Sequence, residues 1–347
     1  MEIAADGAVR PIRLTAHPLQ RVGAYALAAL AGVDDSPETL SWTDFDRATE
    51  RMTTDLIEST PVSTAKDPGG YWLALSYTLW PNSPLNATNR ARQTPRGRAH
   101  NIRYWRQYPR SGDLIEVGCL YCGATPAIGW YGKVDIPLAA SVRHRNHTAP
   151  GHQGIPLCSG CLASFHALPY GCGWRGGKLH TVHTWDDDLL ARIVTDRVNR
   201  TTARAGGDTN EASPDVAAEA LDVLAALDRP THSQLELMKF TNSNQRQELS
   251  TDLLSEVIAE WWRQLNRGPD GSRTVDALGT MAAHGTDTEP SRKLAFLLFH
   301  APHSLLRMSL PLIVDELDNG AAETRTGWRH PATVGALRIL TCVLIEE

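Results

Sequence analysis

The stretch that decides the fold is a pair of Cys-x-x-Cys segments, Cys119-Leu-Tyr-Cys122 and Cys158-Ser-Gly-Cys161. Two such segments that converge supply the tetrahedral set of thiolates that a closed structural zinc site requires. The 35 residues between them exceed the spacer of a compact zinc ribbon, so a small subdomain must leave the first pair and return at the second. A single Cys-x-x-Cys can be a redox motif, but two of them without a secretory signal favour metal. The sequence therefore predicts structural zinc, with reduced core cysteines or redox chemistry as alternatives. The predicted ligands are Cys119, Cys122, Cys158 and Cys161.

Composition describes an ordinary globular protein. The 347 residues are 42% hydrophobic and 21% charged, which is enough chain for two domains with cores of their own. Met1–Gly7 lacks the basic flank and apolar core of a signal peptide. The longest apolar candidate, Val334–Ile345, is too short to span a membrane and carries Arg338. We expect a cytoplasmic protein without membrane contact, in which Cys172 and Cys342 are buried thiols.

The pattern of residues along the chain predicts an α+β protein in two domains. Helices are expected over Pro18–Ala31 and from an N-cap at Thr43-Asp44 to about Ile57. Between Asp67 and Tyr131, Pro, Gly and Asn punctuate short aromatic segments, which is typical of short strands and long loops. Asp186–Asp188 are interpreted as first-turn acids of a further helix, in preference to a metal site.

The second half of the chain is predicted to be a helical bundle. Residues 201–213 are polar, contain Gly206-Gly207 and form the best candidate linker. Residues 1–200 then make a zinc-containing, basic, mixed domain with its zinc subdomain at about 114–185. Residues 214–347 carry apolar stripes that predict four or five helices.

A basic segment from Arg90 to Arg110 is the second informative feature. It holds seven arginines and no acid, with three aromatic residues interleaved. Arginine makes planar bidentate contacts to phosphate and guanine, and aromatic faces stack on unpaired bases. A solvated loop whose aromatic residues pack inward is the alternative. We predict nucleic-acid contacts by Arg90, Arg92, Arg96, Arg98, Asn101, Arg103, Tyr104, Trp105, Arg106, Arg110, Arg143 and Arg145, with Asn86, Asn89 and Asn101 as candidate base-edge readers.

Charge is distributed unevenly along the chain. Residues 68–185 contain twelve Lys and Arg but only three Asp and Glu, although the whole chain has a net charge of −5. A polyanion is therefore expected to bind the half that contains the cysteines.

Histidines near the second cysteine pair raise the alternative of an HNH-type, metal-dependent DNA endonuclease. His147 and His152 lie before Cys158, and His166 follows Cys161. No Asp-His pair stands ahead of a suitable loop, so a basic surface loop is favoured over catalysis.

The segment Ile155-Pro-Leu-Cys-Ser-Gly-Cys-Leu-Ala-Ser-Phe-His-Ala-Leu-Pro-Tyr-Gly171, together with Cys119-Leu-Tyr-Cys-Gly123, resembles the zinc-containing large subunits of CRISPR type I interference (Cascade) complexes. The similarity covers about residues 110–200 and is weaker at Phe240-Thr-Asn-Ser-Asn-Gln245. The Leu-Pro-Tyr-Gly extension is its most specific part.

This resemblance implies a subunit that is not an enzyme and acts in antiviral defence. Such a subunit recognises the short motif that flanks a double-stranded DNA target, helps to open the duplex and stabilises the displaced strand. Its implied partners are a guide RNA, the other Cascade subunits and a helicase-nuclease recruited after target binding. Guide pairing reads most of the sequence in such a system, which leaves the protein a short duplex motif and the backbone.

Overall fold

The computed structural model describes residues 10–62, 64, 69–86, 93–112, 114–139, 154–207, 215–305, 307–308 and 331–346. Helices and strands are mixed, which confirms the α+β class. In chain order the elements are α1 (Pro18–Ala31), α2 (Trp42–Glu58), α3 (Tyr71–Thr78), α4 (Pro95–Trp105), β1 (Gly129–Tyr131), β2 (Ile155–Leu157), α5 (Ser159–Ala167), β3 (Gly173–Arg175), β4 (Lys178–Thr184), α6 (Asp187–Ala205), α7 (Val216–Ala225), β5 (Leu235–Asn242), β6 (Gln247–Leu254), α8 (Glu256–Arg267), α9 (Gly271–Ala283), α10 (Pro290–His300) and α11 (Pro331–Glu346).

The chain divides into two compact units. The first comprises Met1–His183, Leu190–Pro214 and Met238–Ser250, and the second comprises Thr184–Leu189, Asp215–Leu237 and Thr251–Glu347. The single boundary predicted near residue 213 thus differs from the observed division, because each unit takes up several stretches of chain. Helix α6 also continues to Ala205, so the first five residues of the predicted linker are helical.

Helices α1 and α5 form the centre of the first unit. The predicted bounds of α1 are confirmed, and its first turn is capped by the His17 ring, which accepts the Gln20 N–H. The two helices approach so closely at Gly23 that a Cβ there would lie 1.9 Å from the Ser164 carbonyl oxygen. A side chain at this position would force the helices apart, so glycine is required by packing.

The N-cap of helix α2 is Ser41, two residues before the predicted cap at Thr43. Ser41 accepts the Asp44 N–H, and the Asp44 carboxylate accepts the Ser41 N–H in return. This reciprocal capping box satisfies two donors at the helix start, which the predicted Thr43 cap would leave open.

The expectation of strands and loops between Asp67 and Tyr131 is wrong for much of that range. Helices α3 and α4 lie within it. Thr94 caps α4 by accepting the Gly97 N–H, and Pro95 occupies the first helical position. The prolines and glycines that indicated loops therefore mark helix starts here.

The second unit contains the predicted helical bundle, made in its described part by α7 to α11. Two neighbouring tryptophans of α8 are buried in it and donate hydrogen bonds to backbone carbonyls: Trp262 to Leu221 at 3.0 Å and Trp261 to Ala336 at 3.2 Å. Cys342 of α11 is exposed, contrary to the expectation of a buried thiol.

The acids at Asp186–Asp188 have the structural role that was predicted. The Asp186 carboxylate accepts the Leu189 N–H at the start of α6 and forms an ion pair with Arg229, which also contacts Asp188. These bonds lower the pKa of Asp186 against the opposing effect of its burial.

Contrary to the prediction, the chain after residue 213 is not helical throughout. Strands β5 and β6 extend a four-stranded sheet in the order β3-β4-β5-β6. Most of β5 is buried, and only Glu236 and Lys239 along it are half-buried, as is typical of a strand covered on both faces.

Asn242 at the end of β5 shows what the polar stretch Phe240–Gln245 contributes to the first unit. Its buried side chain donates to the carbonyls of Leu79 (2.8 Å) and Lys133 (2.6 Å) and accepts the Leu138 N–H (3.0 Å). A buried amide with its partners supplied this way fixes three distant backbone segments together. Along the described residues, no helix is both long and apolar enough to cross a membrane.

Candidate metal centre

A two-stranded ribbon brings the two cysteine pairs together. Strand β1 follows the first pair, strand β2 precedes the second, and they run antiparallel with Gly129 opposite Leu157. Two further backbone bonds continue the pairing toward the cysteines, from Ile128 N to Leu157 O (2.7 Å) and from Leu120 N to Pro156 O (2.9 Å). The pairing of β1 with β2 therefore brings the second cysteine pair back beside the first, despite the 35 residues between them.

The first cysteine pair sits in a tight turn that depends on Gly123. The Gly123 N–H donates to the Cys119 carbonyl (2.9 Å), and the Cys119 N–H donates to the Ala124 carbonyl (2.8 Å). Gly123 has a φ of 72°, in the left-handed region that glycine enters without a Cβ penalty. This turn aims the Cys119 and Cys122 side chains toward the same point.

The second cysteine pair begins helix α5. Cys158 is the N-cap residue, and its sulfur accepts the Cys161 N–H at 3.4 Å. A thiolate at a helix N-terminus is stabilised by the helix dipole and by the free backbone N–H groups there.

The four sulfurs form one cluster that could hold a metal ion. They lie within 4.8 Å of one another, and the sulfurs of Cys122 and Cys158 are 3.5 Å apart. A tetrahedral ion with metal–sulfur bonds of ~2.3 Å places its sulfurs roughly 3.8 Å apart, so the spacing fits four-thiolate coordination. Cys119 and Cys161 are buried, whereas Cys122 and Cys158 are half-buried. A set of four sulfur ligands suits zinc or iron.

The four thiols of the cluster also shift one another's pKa values. The hydrogen bond from Cys122, followed by those from Cys158 and Cys161, lowers the pKa of Cys119. Its interaction with Cys119 in turn raises the pKa of Cys158 above that of an ordinary thiol. Four thiolates this close together repel one another, and a divalent cation in their midst would offset that repulsion.

His166 is not a ligand of this cluster. Its ring is buried and bonded on both sides, with Nδ1 2.8 Å from the Tyr108 hydroxyl and Nε2 3.1 Å from the Asp135 carboxylate. Burial lowers its pKa to about 4, so the ring is neutral at physiological pH. The other histidines of the nuclease alternative, His147 and His152, lie outside the described residues.

The basic segment forms an exposed face on helix α4. Arg96, His100, Arg103 and Tyr104 have the spacing i, i+4, i+7 and i+8 and are all exposed, Tyr104 by 71%. Arg98 and Asn101 are half-buried beside this face, and Asn101 donates to Gln93 at 3.0 Å.

Two residues predicted to contact nucleic acid, Arg106 and Asn86, are instead enclosed by the protein, and a third, Trp105, is half-buried. Arg106 is 5% exposed and lies 3.9 Å from the ring centre of Trp105 and 4.6 Å from that of Trp80. The Trp105 indole donates to Asp135 at 2.8 Å, and the proposed base reader Asn86 is buried. The prediction that Arg106 and Asn86 contact nucleic acid is therefore wrong. Both side chains are buried and have a structural role. Trp105 is half-buried in the same aromatic group.

Of the remaining residues predicted to contact nucleic acid, the structure describes Arg110 only. Arg110 is exposed, pairs with Asp46 and lies over the Trp42 ring at 4.3 Å. The predicted residues outside the described part of the chain are Arg90, Arg92, Arg143, Arg145 and Asn89.

Arg10 and Arg13 line a cavity beside Cys122 and Cys158, although no sequence motif marks them. They are more than 100 residues from the cysteines along the chain, so no local motif connects them with the cluster. Comparison of the chain with protein-family models, curated proteins and solved structures gives no match.

Proposed function

We propose that this protein is a zinc-stabilised, non-catalytic subunit that recognises DNA within an RNA-guided complex of the CRISPR type I (Cascade) kind. The observation that carries the proposal is the exposed basic face of helix α4. The four-cysteine cluster and the resemblance of residues 110–200 to Cascade large subunits support it further.

The α4 face has the properties of a phosphate-binding surface. Residues 93–112 contain five arginines and no acid. Within the described part of the chain, Arg96 and Arg103 have no ion-pair partner, in contrast to exposed arginines such as Arg47 and Arg200. Unpaired guanidinium groups on one helix face can each replace a counterion of the nucleic-acid backbone.

Stability does not explain the position of Arg96. It occupies the first turn of α4, where the partial positive charge of the helix dipole disfavours a cation. An anionic partner at this helix start would remove that conflict, because it would interact favourably with both the arginine and the dipole.

Zinc is the metal we propose for the cysteine cluster. Four thiolates around one ion are typical of structural zinc, which has no redox chemistry and accepts tetrahedral geometry without strain. Metal analysis of purified protein should find about one zinc per chain, whereas a red, iron-containing protein would contradict the proposal.

The proposed partners of this chain are the other components of an RNA-guided complex. We propose that it binds target double-stranded DNA together with a guide RNA and the other Cascade subunits, and that a helicase-nuclease is recruited afterwards. A net charge of −5 disfavours strong binding of DNA by the chain alone and suits a subunit that acts within an assembly.

Target binding by the assembled complex tests the proposal. Arg96→Ala combined with Arg103→Ala should weaken binding of a matched duplex and reduce the slope of log affinity against log salt by about 2. Arg200→Ala is the matched control, because that exposed arginine already pairs with Asp196. An unchanged slope in the double variant would remove α4 from the interface.

The same preparation tests the nuclease alternative. Magnesium-dependent cleavage of duplex DNA by the protein alone, abolished by His147→Ala or His152→Ala, would overturn the non-catalytic proposal. Recovery of a uniform guide RNA and several further proteins with the tagged chain would support it.

A further inference from the structure

A cavity of about 160 Å³ lies beside the cysteine cluster in the first unit. Cys122 and Cys158 form part of its wall, so it opens on the half-buried side of the cluster. The other described lining residues come from the N-terminal segment, the start of α2, the segment after α4, the first cysteine turn and the start of α5. They include Arg10, Pro11, Arg13, Trp42, Pro109 and Arg110.

The walls of this cavity combine flat apolar groups with positive charge. Trp42, Pro11, Pro109 and Ile128 supply apolar surface, and three arginines lie among them. The described lining includes no carboxylate. Such a cavity suits a ligand that has one flat ring and one negative charge.

Arg110 and Trp42 form a fixed corner of the cavity. The guanidinium lies over the Trp42 ring at 4.3 Å, donates to the Trp42 carbonyl at 3.4 Å and pairs with Asp46. Because three contacts hold the Arg110 guanidinium in place, it forms a preformed wall of the cavity together with the Trp42 indole. Arg10, in contrast, is exposed at the rim of the cavity.

The size of the cavity matches a single ring. An apolar cavity of about 150 Å³ accepts one benzene molecule, so the volume here suits one nucleobase. An unpaired base, whose faces are free to contact the walls, fits such a site better than a base stacked within a duplex.

We propose that this cavity binds one nucleotide of an unpaired strand, with the base against Trp42 and the neighbouring prolines and the phosphate next to Arg10 and Arg13. The inference rests on the proposed function and adds a second contact, separate from the α4 face. In this site, the four-cysteine cluster holds one wall of the cavity in place.

A competing explanation for the arginines is electrostatic. Four thiolates around a divalent cation carry a net charge of −2, and nearby guanidinium groups would balance it without any ligand. The two explanations predict different effects of Arg10. If the cavity binds a nucleotide, Arg10 contributes to the affinity for a single strand. If the arginines only balance charge, Arg10 contributes to retention of the metal.

The experiment measures binding of fluorescein-labelled tetrathymidylate to the full-length, zinc-loaded protein by fluorescence anisotropy. Ala124→Phe fills the cavity while the Ala124 carbonyl remains available to Cys119, and Arg10→Ala removes a rim charge. We expect each variant to raise the Kd about tenfold or more. Arg47→Ala, an exposed arginine of α2 that pairs with Asp44, should leave the Kd unchanged. Zinc content is measured on every variant to show that the cluster is intact.

The possible failures are distinct. Equal Kd values for wild type, Ala124→Phe and Arg10→Ala would overturn the nucleotide site, and faster zinc loss from Arg10→Ala would then establish the charge-balance explanation. Absence of tetrathymidylate binding by the wild type would also overturn it. Neither result touches the proposed function, which depends on duplex binding by the assembled complex and on Arg96 and Arg103.

Discussion

At the scale of single residues, the four cysteines behave as the sequence predicts because their chemistry is local. Each Cys-x-x-Cys segment presents two sulfurs from one turn, and two such segments are typical of a structural metal site. The roles of the arginines between Arg90 and Arg110 do not follow from local sequence, because the sequence alone does not show which side of a helix faces solvent. Arg106, enclosed by Trp80 and Trp105, illustrates the difference from exposed Arg96 and Arg103.

Replacing one ligand should disable the whole cluster. We expect Cys158→Ser to reduce bound zinc from about one per chain to a small fraction and to lower the melting temperature, because metal binding and folding of such sites are coupled. Zinc release assays and thermal unfolding measure both effects. Cys342→Ser, at an exposed thiol of the second unit, is the control and should retain zinc and stability.

His166 should make the protein less stable in acid. Its folded-state pKa of about 4 lies below the ordinary value of 6.5, so the unfolded state binds the proton more readily. Stability from this residue is complete above pH 6.5 and is lost as the pH falls toward 4, by up to ~3 kcal/mol.

Urea unfolding of the wild type and of His166→Gln across this pH range checks the prediction. Thiolate protonation destabilises both proteins in acid, so the informative quantity is the difference between their unfolding free energies. A difference that does not change between pH 7 and pH 4 would contradict the titration of His166.

At the scale of elements, local capping signals predict the bounds of α1 but place the cap of α2 two residues too late, at Thr43 instead of Ser41. Pro18–Ala31 was predicted to the residue because proline marks its start and Gly32 its end. Strands β5 and β6 were missed, since an eight-residue strand amid helical sequence is defined by its neighbours in the sheet. Strand β1 lies at the end of the stretch where short strands were expected, but its pairing with β2, which brings the cysteine pairs together, was not predicted.

The turn around the first cysteine pair should depend on the backbone freedom of Gly123. An alanine there has room, since no atom lies within 4 Å of the position that its Cβ would take, but it must adopt a φ of about 72°. We expect Gly123→Ala to weaken zinc binding about tenfold, which corresponds to the ~1–2 kcal/mol cost of the left-handed conformation. Competition with a zinc chelator measures the affinity.

Gly132→Ala is the matched control for this turn. Gly132 also has open space where a Cβ would lie, but its φ is outside the left-handed region. Its zinc affinity should equal that of the wild type. Equal losses in the two variants would show that the effect arises from something other than backbone strain.

At the scale of the whole molecule, composition indicated two compact parts but not how the chain is shared between them. Contacts such as those of Asn242 with Leu79 and Lys133 join residues more than 100 positions apart, and no local pattern announces such pairs. The separation of a basic first half from an acidic second half was readable directly, because charge can be counted along a sequence.

Removal of the metal should loosen one unit only. Treatment with a zinc chelator is expected to accelerate amide hydrogen exchange in residues 114–139 and 154–183, where the cysteine turns and their ribbon lie. Peptides from α8 and α9 in the second unit should exchange at their original rates. Mass spectrometry resolves these segments, and uniform acceleration over the whole chain would contradict the prediction.

The place of Asn242 in the first unit has a consequence for synthesis on the ribosome. All four cysteines have left the exit tunnel long before residue 242 is translated, so the nascent chain can bring its four thiols together while the carbonyls of Leu79 and Lys133 still lack their amide partner. The metal-bound turns would then serve as an early anchor on which a much later strand docks. A gene truncated at residue 214 would yield a chain with a complete cysteine set and an unfinished fold.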